Sequence, residues 1–240
     1  DPTISKDLRA VEALNISGGP TVGGDQEVGM EPEPVPDLTV EDYQEEANYI
    51  LKNDGKVYDA SGTLLHDAST AGPFQHWKLT DYAESVATWD YEGNDAIDGL
   101  YYIEGHVKIG GSPGSSISPW KLMVIATGHI EISGSPFFTP LHGDGVMFLA
   151  GTDLKINGNA TVTDISFFAA HEQISIGGSA DLQGAFFAED SEDLDTLVSG
   201  PGSSISGNPT ITLDGNLEVL IGNKFNEVEI ISMDIRYKDK

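Results

Sequence analysis

The 240-residue chain contains no cysteine, so neither disulfides nor thiolate metal sites can hold it together. Basic residues are nearly as scarce. Twelve lysines and arginines stand against 39 acidic residues, a net charge of −27, and only Arg9 and Arg236 carry guanidinium groups. Nucleic acid and anionic lipid both need a basic patch to neutralise phosphate, and the sequence offers none, which excludes them as partners. There is no apolar run of about 18 residues, so no helical membrane span is expected in this chain. No basic stretch followed by an apolar one precedes Asp1, so no signal peptide is expected, and Asp1-Pro2 reads as a processed or trimmed start.

Apolar residues other than glycine make up 39% of the chain. With 28 glycines, the balance suits an elongated, turn-rich, all-β protein. The acid excess reads as a soluble, self-repelling surface fit for a saline habitat, or alternatively as capacity for divalent cations.

What the sequence does have is an internal repeat. HVKIGGS (106–112), HIEISGS (129–135), DLKINGN (153–159) and QISIGGS (173–179) align with starts 23, 24 and 20 residues apart. Each places apolar residues two apart, the mark of a half-buried strand, and each reaches a glycine at the same step: Gly111, Gly134, Gly158 and Gly178. A short continuous apolar run precedes each copy: LYYIEG (100–105), LMVIATG (122–128), VMFLAGT (146–152) and ISFFAAH (165–171), with AFFAED (185–190) following. Two or three short strands per ~20–24 residues, cornered by Gly, Asn and Ser, describe one turn of a stacked repeat. The expected fold is all-β, a right-handed parallel β-helix or β-solenoid, with a mixed α/β cap or insertion that contains one helix.

Four segments follow from this. Residues 1–26 hold an outlying strand segment, ALNISGGPTVGG, whose I-S-G-x-P-T kernel returns in SSISGNPTITLDG at 203–215. Residues 27–97 form an acidic proline-rich linker, a helix and a cap or insertion; residues 98–215 form the repeats; residues 216–240 close with an alternating strand, EVEIISMDIRY. The spacing predicts a helix from Thr39, with Asp42 in a capping-box arrangement and Gly55 as its stop. Its apolar face would be Val40, Tyr43, Ala47 and Ile50, and Trp77 and Trp89 would anchor irregular β structure after it.

The phrases DGLYYIEGHVKIGGS, VIATGHIEISGSP, FLAGTDLKINGN, AAHEQISIGGSADLQGAFFAED and ISGNPTIT resemble the C-terminal region of PilX-type type IV pilus assembly proteins, minor-pilin-like surface proteins of Gram-negative bacteria. ALNISGGPTVGGD and NEVEIISMDIRY resemble that family's early and closing strands, so the likeness covers more than half of the chain. It implies an exported, extracellular or cell-surface protein whose partners are other pilus or surface subunits, or copies of itself. The family's hydrophobic N-terminal helix has no counterpart here, and the family supplies no catalytic residues.

His106, His129 and Asp153 occupy the same step of successive repeats and would stack ~4.8 Å apart, either as a zinc-binding trio or as a solvent-facing polar ladder. His66, His76, His142 and His171 lack partner spacing. Glu189, Asp190, Asp193 and Asp195, with Glu192, form the densest carboxylate loop and would be the metal ligands if calcium binds, although the spacing of known calcium loops is missing. Lys108, Glu131 and Lys155 read as a surface charge ladder. A β-helix carbohydrate-active enzyme would need Asp144, Asp153 and Asp164 on one face, but they fall at different steps, and Lys121 is the one remaining lysine within the repeats. No phosphate-loop, nucleophile-elbow or zincin motif occurs, and the N-x-[ST] sites at Asn15 and Asn159 carry no inference. The expected function is a non-enzymatic structural component of a surface appendage or pilus-associated filament. The alternatives are an adhesin gripping polysaccharide through Tyr101, Phe137 and Phe138, and the enzyme.

Overall fold

The computed structural model describes residues 39–81, 87–142, 146–188 and 203–213, together with four short strands before residue 29. Those four are β1 (Thr3–Ile4), β2 (Leu8–Ala10), β3 (Thr21–Val22) and β4 (Gln26–Val28). A 3-10 helix, Val40–Glu46, leads into β5 (Tyr49–Leu51), β6 (Lys56–Tyr58) and β7 (Leu64–Asp67), then β8 (Trp77–Asp81) and β9 (Ala87–Gly93). The repeats supply β10 (Gly99–Ile103), β11 (His106–Gly111), β12 (Trp120–Ala126), β13 (Ile130–Ile132), β14 (Phe137–Pro140), β15 (Val146–Ala150), β16 (Leu154–Ile156), β17 (Thr161–Val162), β18 (Ser166–Ala170), β19 (Ile174–Ile176), β20 (Asp181–Ala188), β21 (Ser204–Ile205) and β22 (Thr210–Leu213).

The protein is all-β in character, and pairing between repeats is parallel. One sheet has seven strands, in the order β8-β9-β11-β13-β16-β19-β21. Another has thirteen: it runs β7-β6-β5-β10-β12, divides into β14-β17 and β15-β18, rejoins at β20, and ends β22-β1-β3. A third pairs β2 with β4.

The seven-stranded sheet follows from the period-two pattern. Val107, Ile130, Leu154 and Ile174 stand in register, as do Ile109, Ile132, Ile156, Ile176 and Ile205. All but Ile205 are buried, while Lys108, Glu131, Lys155 and Ser175 between them point outward. Each buried aliphatic side chain contributes roughly 1.5–3 kcal/mol relative to exposure. The glycine after each strand is required by the stacking itself. A Cβ on Gly134 (φ +79°) would sit 2.1 Å from the Gly111 carbonyl oxygen, and one on Gly158 would sit 2.4 Å from that of Gly134.

The continuous apolar runs have a different explanation: β10, β15 and β18 are buried at all five positions, so both of their faces are covered. Tyr101, Val124, Phe148, Phe168 and Phe186 join the main core. Leu100, Tyr102, Met123, Ile125, Leu149, Phe167 and Ala169 turn to the other face, in a second cluster that includes Val40, Tyr43 and Ala47. The helix region therefore packs on this second face.

That helix departs from expectation. It ends at Glu46 instead of reaching Gly55, and the Thr39 side chain makes no capping hydrogen bond. Tyr49, Ile50 and Leu51 form β5, which pairs with Tyr101, Tyr102 and Ile103 of β10. A run of aromatic and branched residues beside an available strand gains more from the ladder than from another helical turn. The four apolar residues still share one cluster. Gly55 (φ +79°) serves the β5–β6 turn, where its amide donates to the Lys52 carbonyl.

Trp77 and Trp89 anchor the next stretch as expected, but it is regular: β6–β7 and β8–β9 are antiparallel pairs. Trp77, Tyr91, Tyr101 and Trp120 pack together there, with ring centroids 4.9–6.4 Å apart. Strands from the first 28 residues take the opposite end: Thr3 and Ile4 pair with Thr210 and Ile211, beyond the last repeat.

Candidate functional site

The residues of interest meet at the corner where each repeat enters the seven-stranded sheet. Register places His106 one residue before Val107, His129 before Ile130, Asp153 before Leu154 and Gln173 before Ile174. The His106 and His129 rings stack with centroids 3.8 Å apart and planes 22° from parallel. The His129 amide donates to His106 Nδ1 at 3.0 Å, and the Gln173 amide donates to Asp153 Oδ1 at 3.1 Å. An amide can only donate, so His106 Nδ1 is the acceptor in this contact.

The sequence brings these groups together correctly but misplaces them relative to solvent. His106 is 7% exposed and Asp153 1%, so these two are buried and not solvent-facing, while His129 between them is half-buried. The stacking explains why. A glycine precedes each of the two histidines, and a Cβ on Gly128 would lie 2.5 Å from His106 Nδ1. Gln173 is also 4% exposed, and the Ser203 hydroxyl oxygen accepts from the Ile174 amide at 3.0 Å. Sequence reasoning passed over both. The available signal was the alignment of QISIGGS with HVKIGGS, which places Gln173 at the step of His106. Chemically, these side chains replace ladder hydrogen bonds at a corner where strand pairing is interrupted. Among the described residues no group of three or more His, Asp or Glu side chains is set to hold a metal ion.

Lys108, Glu131 and Lys155 form the expected outward ladder: the lysine Nζ atoms lie 3.5 and 4.0 Å from the Glu131 carboxylate. Partly exposed pairs of this kind contribute roughly 0.2–1 kcal/mol. Three other histidines lie elsewhere: His66 lies against Phe74, His76 Nδ1 is 3.1 Å from the Glu92 carbonyl oxygen, and His142 is exposed.

The aromatic trio is not a surface. Tyr101 and Phe138 are 0% exposed and belong to the main core, leaving only Phe137 half-buried. An exposed trio is the expectation, but the strands carry interior aromatics in file, from Trp120 to Phe138 to Phe148. Asp164 accepts from the Thr139 hydroxyl at 2.7 Å, and the Lys121 amide donates to Asp98. Asp144, Asn15 and the proposed calcium ligands Glu189, Asp190, Asp193 and Asp195 lie outside the described residues. No helix among the described residues is long and apolar enough to cross a membrane. No protein-family model, curated protein or solved structure matches the chain.

Proposed function

We propose that the chain is a right-handed parallel β-solenoid serving as a non-enzymatic structural component of a bacterial surface appendage or pilus-associated filament. The observation that carries this reading is the file Ile109, Ile132, Ile156, Ile176 and Ile205, one residue type at one step of five successive strands. Such a file continues main-chain hydrogen bonds from repeat to repeat and gives a stiff rod, the property a surface appendage uses. The polar corner residues fit the same purpose, because His106 and Asp153 spend acceptor atoms on backbone amides of the next repeat. The resemblance of residues 98–215 to PilX-type proteins supplies the exported, Gram-negative setting.

The adhesin alternative loses its main support with the burial of Tyr101 and Phe138. The enzyme alternative has Asp153 buried and engaged by the Gln173 amide, with the exposed Asp164 engaged by the Thr139 hydroxyl. Immunogold electron microscopy on cells that make the protein tests the reading. Label along or at the base of surface appendages is expected. Label confined to the cell interior would sink it.

A further inference from the structure

The thirteen-stranded sheet contains a break in chain order. Thr161, Asp181 and Thr210 stand in register on β17, β20 and β22, each strand later in the chain than the one before it. The next strand in the file is β1, with Thr3 on Thr210, and the one after it is β3, with Thr21 on Thr3. Sequence position therefore rises along the file to β22, falls back once to the start of the chain, and rises again. A single break of this kind is the pattern expected where one copy of a chain follows another.

The strands on either side of the break share one sequence kernel. Pro209-Thr210-Ile211, Pro2-Thr3-Ile4 and Pro20-Thr21-Val22 align residue for residue, and the threonines and the aliphatic residues after them stand in register. All of these pairings are parallel, as is that of β22 with β20. The break in chain order consequently disturbs neither register nor direction.

The first 28 residues are also lightly attached. Among the described residues, Thr3–Ile4 on Thr210–Ile211 is the one strand pairing that joins them to the rest, since β2 and β4 pair with each other in a sheet of their own. To keep that contact within one chain, the sequence after β3 must return past β1, β22, β20, β18 and β15 to the face of β10 and β12 on which Val40 and Tyr43 lie. From β3 to β12 this is about 29 Å at the usual spacing of paired strands. The stretch from Val22 to Val40 reaches up to about 60 Å when extended. Chain length therefore admits the β22 of a neighbour as readily as its own.

We propose that these strands are exchanged between copies of the chain, β1 and β3 of one copy extending the thirteen-stranded sheet of the next beyond its β22. The proposal rests on the filament reading above and names its assembly contact. Because the copies are identical, the exchanged strands make the same register and the same main-chain hydrogen bonds that they make within one chain, as in strand addition to a sheet edge. Each copy offers one donor segment and one β22 edge. The contact joins two different surfaces, so it propagates into an open filament instead of closing a dimer.

The absence of cysteine makes the test clean. Residues paired directly across parallel strands lie within disulfide reach, and Thr3 and Thr210 are such a pair. In the full chain carrying Thr3→Cys and Thr210→Cys together, mild oxidation is expected to give a ladder of covalent dimers, trimers and higher species. An equimolar mixture of the two single variants should give a covalent dimer, and each single variant alone should stay uncrosslinked. A double variant that closes only a disulfide within one chain, with no dimer from the mixture, would overturn the proposal. Should the cysteine variants lose the far-ultraviolet circular dichroism of the unmodified chain, Ile4→Pro serves instead, since it removes an amide from β1. Sedimentation velocity should then show loss of the assemblies formed by the unmodified chain, and an unchanged distribution refutes the exchange. A cysteine ladder without surface label would remove the appendage reading and leave the exchange standing. Surface label with closure only within one chain would do the reverse.

Discussion

At the scale of single residues, space and backbone conformation act separately on glycine. Gly62 and Gly134 have nearly the same positive φ, +83° and +79°, yet a Cβ on Gly62 meets nothing within 4 Å and one on Gly134 meets the Gly111 carbonyl. Gly62→Ala is expected to cost about 1 kcal/mol, the strain of the left-handed region alone. Gly134→Ala should cost about 2–4 kcal/mol, because the neighbouring repeat must also move. Urea unfolding of the two variants reads the difference, and equal losses would show that the repeats have slack at the corner. Asp59 makes a different point. Hydrogen bonds from the Ser61 hydroxyl, then from the Thr63 and Ser61 amides, hold its carboxyl below the usual carboxylate range. A carboxyl depressed in the folded state stabilises above its unfolded pKa, and that stabilisation disappears as pH falls through the folded value. Amide exchange at Ser61 and Thr63, once corrected for its intrinsic pH dependence, should therefore lose protection on acidification below the ordinary carboxylate range. Asp59→Ala should remove that protection at neutral pH.

The strand is the scale at which interior and exterior contributions separate. Phe168 stacks between Phe148 and Phe186, with centroids 5.9 and 4.5 Å away, so its truncation opens a void that rigid neighbours on two strands cannot close. Phe168→Ala is expected to cost about 3–5 kcal/mol in a thermal or urea melt. Glu131→Gln on the outward face of β13 breaks both lysine contacts, yet should change stability by less than ~1 kcal/mol, since partly exposed ion pairs gain little over solvation. A larger loss from Glu131→Gln would mean that the ladder shields the Gly110–Gly111 corner from water. The 3-10 helix belongs to the interior group despite its position, because Val40 and Tyr43 lie against the second face of the parallel strands.

For the molecule as a whole, the net charge of −27 sets a global term that no pairwise contact captures. Repulsion among acidic groups more than a Debye length apart is screened as that length falls from ~10 Å at 0.1 M salt to ~3 Å at 1 M. The melting temperature should rise with sodium chloride over that range. A flat or falling response would show that the favourable ion pairs outweigh the net repulsion. The strand pairing is also non-local: β1 meets β22 from the far end of the chain. Contacts of such long sequence separation slow folding, so refolding is expected on the millisecond-to-second scale or slower.

The sequence by itself determined the parallel strands of the repeats and their register. Period-two alternation chooses which residues face inward, and glycine at one repeated step marks each corner, both being local properties of the backbone. It also set which side chains meet at the corner, since equal spacing brings His106, His129 and Asp153 to successive strands. Only the tertiary structure decided that His106 and Asp153 are buried and that Tyr101 and Phe138 are interior, because a parallel strand can be covered on both faces and alternation then no longer tells inside from outside. The tertiary structure alone also ended the helix at Glu46 and carried the first residues to the far end. Each depends on an edge offered by a distant part of the chain, and a local pattern contains no information about where such an edge will be.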